Sequence, residues 1–90
     1  MRYRIRVGRA AKREAFALPG YVRQRVLRII DALADEPRPL GAKELRDRPG
    51  YYRIRVARWR LIYHISDDDG LISIVAVRLK TGPEIYENLP

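Results

Sequence analysis

The chain has 90 residues, 47% of them apolar, and a formal net charge of +8 from 19 basic and 11 acidic side chains. That length holds a single domain with one modest core, residues 1–90, and the apolar content excludes a disordered chain. With no cysteine there is no disulfide and no thiolate metal site, which suits a reducing cytoplasm, and no apolar run approaches the roughly 20 residues that span a bilayer.

In chain order, Tyr3–Val7 (YRIRV) alternates apolar and basic residues, the pattern of a half-buried strand. No apolar signal core follows the arginine-rich start. RAAKREAFAL predicts a short helix that Pro19 and Gly20 end. A longer helix is expected over Tyr21–Asp35, where Val22, Val26, Ile29, Ile30 and Leu33 form one apolar stripe, with Arg23 and Arg28 mostly off it. Prolines and glycines make residues 37–50 a loop anchored by Leu40 and Leu45. Three strands follow, YYRIRV, RLIYHI and LISIVAV, joined by a tight link at Ala57–Trp59 and by the acidic turn SDDDG. A tail broken at Gly82–Pro83 carries Tyr86. The order β-α-α-β-β-β predicts an α+β domain: a small antiparallel sheet with two N-terminal helices packed on one face.

The pentapeptide YRIRV occurs twice, at Tyr3–Val7 and Tyr52–Val56, but one copy leads into a helix and the other into a hairpin, so there is no internal repeat. Charge is uneven. Residues 1–30 hold nine basic residues and one acid, whereas residues 51–63 interleave four arginines with Tyr51, Tyr52, Trp59 and Tyr63. Arginine dominates, and it grips phosphate bidentately and stacks on bases, which points to a nucleic acid or an acidic protein as partner.

Several enzyme classes lack their signatures. There is no cysteine nucleophile and no glycine-rich phosphate loop, and the one histidine, His64, has no metal-ligand companion, so no cofactor or metal is expected. The acids of SDDDG read as a solvated turn. What remains is a cation cluster. Arg53 and Arg55 project from one strand face, Arg60 opens the next strand, and Arg78 and Lys80 end the last. Four or five cations around one phosphate would stabilise charge that develops on phosphoryl oxygens during RNA scission. Tyr86 or Tyr51 would then stack on a base. The plainer alternative is a solvated sheet face.

Residues 3–86 resemble the RelE/ParE superfamily of toxins from bacterial type II toxin–antitoxin pairs. The resemblance rests on the N-terminal strand, AxKxxxxxLP, the basic helix ending before PRP, KxL, YYRIRV…WRLIYHI and EIY. For the RelE branch it implies ribosome-dependent endoribonuclease activity on mRNA, by attack of a ribose 2′-hydroxyl on the adjacent phosphate. By motif, the implied catalytic residues are Arg53, Arg55, Arg60, Lys80 and Tyr86, with His64 as a possible base and Arg78 as a neighbouring substrate contact. Arg55 stands where the family has a lysine, and a permanently protonated arginine is a poor base. Arg4, Arg6, Arg23 and Arg28 are expected to contact ribosomal RNA.

Two alternatives share the fold: a ParE-type toxin that inhibits DNA gyrase by protein contact, and a non-catalytic member that only binds an antitoxin. The toxin classes imply an acidic cognate antitoxin, operator DNA reached only through the antitoxin complex, no membrane, and a cytoplasmic location.

Overall fold

The computed structural model describes residues 2–90. Strand β1 (Arg4–Val7) leads through Gly8 into helix α1 (Arg9–Phe16) and helix α2 (Gly20–Leu33). Strands β2 (Lys43–Glu44), β3 (Tyr51–Val56), β4 (Trp59–Ser66) and β5 (Leu71–Leu79) follow, and a single 3-10 turn spans Pro83–Tyr86. The sheet order is β1-β5-β4-β3-β2.

Alanine-rich α1 and the apolar stripe of α2 dictate the packing. Val22, Val26 and Leu33 are fully buried and Ile30 nearly so. They meet Ile54 and Val56 of β3, Leu61, Tyr63 and Ile65 of β4, and Ile72, Ile74 and Val77 of β5. Each such aliphatic side chain contributes about 1.5–3 kcal/mol. Both helices thus cover one face of the sheet, and Tyr52, Ile54 and Val56 point at them as their alternation requires. Helix α2 stops at Leu33 rather than Asp35 because its end tightens: Ala34 and Asp35 donate to carbonyls three residues back.

The sheet departs from the antiparallel expectation in one respect. Strand β1 pairs with β5 in parallel, Arg4 opposite Leu71 and Val7 opposite Ile74, so the sheet is mixed. Hairpin geometry forces β3, β4 and β5 to alternate in direction, but two helices intervene after β1 and release it from that rule. Strand β2 lies within the expected loop. It has two residues and no apolar alternation, so only its pairing with Arg53 and Tyr52 reveals it.

Candidate functional site

The β3–β4 link sets the site. Only Ala57 and Arg58 connect the strands, and Ala57 adopts φ 55°, a left-handed conformation that suits a two-residue hairpin turn. That turn fixes the register, with Arg55 opposite Arg60, and Arg60 opposite Arg78 on β5. Two pairs further along, Arg53 lies between Ile62 on β4 and Lys43 on β2. Lys43, Arg53, Arg55, Arg60 and Arg78 therefore share the face away from the helices.

Like charges set directly opposite one another cost stability. The ion pairs among the described residues are Arg2–Asp35, Arg38–Asp67 and Arg78–Glu14, and none includes Arg53, Arg55 or Arg60. Arg60 Nη1 donates to the carbonyls of Trp59 (2.9 Å) and Ala57 (3.3 Å), which fold its guanidinium against the turn. Arg55 is exposed, and Arg53 and Arg60 are partly buried.

The tail closes one side of this face. At the pairing of Ile62 and Tyr63 the β5 register shifts, leaving Val75 as the extra residue of a bulge. A bulge turns neighbouring side chains to one side, and Val75 and Ala76 both join buried Ile62 in a second apolar cluster. Leu45, Tyr51, Tyr86 and Leu89 pack against it. Tyr86 is thereby held over the cation face, with Lys80 Nζ 5.2 Å from its ring centroid. A cleft of about 630 Å3 opens there, lined by Lys43, Arg48, Arg53 and Tyr86 and also by the acids Glu44, Asp47 and Glu87.

The structure thus brings Arg53, Arg55, Arg60, Lys80 and Tyr86 to one face and one end of the sheet. His64 shares the face but lies four residues along β4 from Arg60, about 13 Å at the usual rise. Its ring sits 4.8 Å from that of Tyr51. Gly50, at φ +86°, passes so close that a Cβ would fall 3.0 Å from His64 Nε2. Arg78 spends its guanidinium on the tail, donating to the carbonyls of Ile85 and Glu87. Arg4 and Arg6 lie on the same face at the β1 edge, and Arg4 donates to the Asp69 carbonyl. Arg23 closes α1 by donating to the carbonyls of Phe16 and Leu18 at 3.3 Å, whereas Arg28 is exposed on α2.

Two features escaped the sequence. Lys43 joins the cation face only through the β2 pairing. The acidic turn does more than meet solvent, because Asp67 forms a forked ion pair with Arg38 (2.8 and 3.4 Å) and accepts from the Tyr3 hydroxyl at 2.6 Å. These bonds hold the Asp67 carboxyl below its ordinary pKa, Arg38 first and Tyr3 second. Arg38 also donates to the Tyr52 hydroxyl at 2.9 Å, which ties loop, β3 and the β4–β5 turn together. Beneath them burial pushes the Tyr63 phenol well above its usual range, and its hydroxyl donates to the Pro37 carbonyl at 2.8 Å. No group of three or more His, Cys, Asp or Glu residues able to hold a metal occurs among the described residues.

Comparison with known proteins agrees with this architecture. The family described as the ParE toxin of type II toxin–antitoxin systems, parDE, matches residues 5–80. The toxin–antitoxin complex RelBE2 of Mycobacterium tuberculosis contains a chain 28% identical, with TM-score 0.74, covering 89% of this chain and all of that one. The archaeal RelE–RelB complex of Pyrococcus horikoshii gives 26% identity and TM-score 0.79, with coverages of 90% and 98%. A double mutant of the E. coli toxin RelE in the free state has the same fold, with TM-score 0.81 at 24% identity and coverages of 96% and 92%. No curated protein matches the chain. A mixed sheet with both helices on one face, together with a family match over most of its length, identifies the chain as a member of the ParE toxin family of type II toxin–antitoxin systems, within the RelE/ParE superfamily.

Proposed function

We propose that this toxin is a RelE-like, ribosome-dependent mRNA endoribonuclease. The observation that carries the reading is the row Arg55–Arg60 with Arg53 beside it: cations set opposite one another, none of them ion-paired to a carboxylate among the described residues, under a tail that presents Tyr86. An anion relieves such a row, and a phosphodiester fits it.

In this reading Arg53 and Arg60 hold the non-bridging oxygens of the scissile phosphate, Arg60 through the donors other than Nη1, which the Ala57 and Trp59 carbonyls occupy. The ribose 2′-oxygen bonds to phosphorus as the bond to the 5′-oxygen breaks, leaving a 2′,3′-cyclic phosphate and a 5′-hydroxyl. Arg55 cannot accept the 2′ proton, so it stabilises the 2′-oxygen as the proton leaves to solvent. Lys80 faces the departing 5′-oxygen and gives it a proton, which the amine regains from solvent, and Tyr86 stacks on a base and orients the substrate. His64, remote from Arg60, is left as a sheet residue beside Tyr51. Arg4, Arg6 and Arg28 steer the toxin to ribosomal RNA through the basic first third of the chain. An acidic antitoxin neutralises that surface, as the complexes of the structural relatives suggest, and operator DNA is reached through that complex in the cytoplasm.

A second reading is favoured by one observation, the match to the ParE family description together with arginine at Arg55. There the chain inhibits DNA gyrase by protein contact and the arginines serve as a docking face. Induced expression of wild type and Arg60→Ala, with mapping of mRNA 5′ ends, separates the two. Growth arrest with codon-positioned cuts, attenuated strongly in Arg60→Ala, supports the nuclease. Arrest with DNA damage and no RNA cuts refutes it and supports the gyrase reading.

A further inference from the structure

The last residues have only the turn Pro83–Tyr86 to order them, yet Tyr86 stands at a defined place over the cation face. Two kinds of contact hold the tail. Ile85 is buried, and Tyr86 and Leu89 pack on the outer apolar cluster. Apolar contact is non-directional, so it presses the tail onto the sheet without fixing its position along it. The hydrogen bonds that join the tail to the sheet come from Arg78, beside the cation of Lys80 at 5.2 Å from the Tyr86 ring centroid. Arg78 Nη1 donates to the carbonyls of Ile85 at 2.7 Å and Glu87 at 2.9 Å, the residues on either side of Tyr86.

Behind Arg78 stands Glu14 of α1, the single acid among the first thirty residues. Its Oε2 lies 3.7 Å from Arg78 Nε, and its Oε1 accepts the Val77 N–H at 2.9 Å. Strand β1 ends opposite Ile74, so β5 runs on beyond it with an open edge, and Glu14 closes that edge at Val77. The same carboxylate draws a guanidinium that is paired across the strands with Arg60 toward the sheet margin and away from the other cations.

We propose that Glu14 and Arg78 are positioning residues: α1, through this carboxylate and guanidinium, fixes the carbonyls flanking Tyr86 and with them the placement of its ring. The consequence for catalysis rests on the nuclease reading above. The holding of the tail does not, and the two are tested separately.

The first measurement is residue-resolved amide hydrogen exchange on the full chain. Its reporters are Ile85 and Glu87, whose amides close the tail turn onto Gly82 and Glu84. Arg78→Ala is expected to speed exchange there about tenfold or more, the worth of a hydrogen bond from a charged donor. Glu14→Gln keeps an acceptor for Val77 but loses the charge facing Arg78, and is expected to give a smaller, several-fold increase at the same amides. Core amides such as those of Ile54 and Ile65 keep their wild-type rates in both variants. Unchanged exchange at Ile85 and Glu87 overturns the proposal. So does uniform acceleration across sheet and helices, which would mark a general support of the fold.

The second measurement is a double-mutant cycle of mRNA cleavage on ribosomes with Arg78→Ala and Tyr86→Ala. A positioning role predicts that Arg78→Ala costs little once Tyr86 is gone. Fully additive losses mean that Arg78 touches substrate in its own right, and that overturns the positioning role. If the wild-type chain cuts no RNA, the nuclease reading fails while the exchange result still decides whether Glu14 and Arg78 hold the tail.

Discussion

Replacing Arg55 with glutamine removes a cation whose nearest like-charged neighbours are Arg60, directly across the strands, and Arg53, two residues back on the same face. At about 7 Å, the spacing of same-face neighbours along a strand, two guanidinium charges repel by about 0.6 kcal/mol at the dielectric of water. The two pairs together destabilise the wild type by about 1 kcal/mol at low ionic strength, about half that at physiological salt, and about a tenth of it in 1 M salt. For a domain of this size Arg55→Gln should therefore raise Tm by about 5 °C at low salt and by about 1 °C or less in 1 M salt. The assay is thermal unfolding by circular dichroism at several salt concentrations, paired with RNA binding by fluorescence anisotropy. A row shaped for an anion predicts opposite changes, with higher stability and weaker RNA binding. If Arg55→Gln lowers Tm, or the change ignores salt, the cations are not in mutual repulsion and the face is an ordinary solvated surface.

Tyr63→Phe leaves the Pro37 carbonyl without its donor under a buried ring. The expected loss is about 1–2 kcal/mol, a fall in Tm of about 5–10 °C, read by denaturant and thermal unfolding. Asp67 has its folded pKa depressed below 3.8, so the unfolded chain binds its proton more readily. Its stabilising contribution is complete above that unfolded value and is lost as pH falls through the folded one. Stability measured between pH 6 and pH 2.5 should fall more steeply for wild type than for Asp67→Asn below about pH 4, and identical slopes would contradict the role of the Arg38–Asp67 pair.

Much of this molecule is written in local pattern. Period-two alternation places Tyr52, Ile54 and Val56 toward the helices and Arg53 and Arg55 away, because successive side chains of a strand point to opposite faces. The stripe of α2 follows from helical period in the same way. These are properties of neighbours in the chain, and neighbours are what a sequence displays. Arg78 and Arg23 show where that legibility stops. By residue type and place both belong with the anion-binding cations, but each is drawn off by backbone carbonyls, Arg78 by the tail and Arg23 by the end of α1. A carbonyl that needs a donor leaves no mark in sequence until the chain has folded around it.

Across the two copies of YRIRV the division is plain. Sequence alone determines that both are strands with arginines on one side, since alternation suffices for that. Tertiary structure decides that both arginine pairs lie on the same face of one sheet, that the first copy runs parallel to β5 at an edge, and that the second lies between Lys43 and Arg60 beneath Tyr86. The reason is physical: alternation is set by bonds within a strand, whereas a strand's partners and direction are set by the whole hydrophobic core that the two helices close.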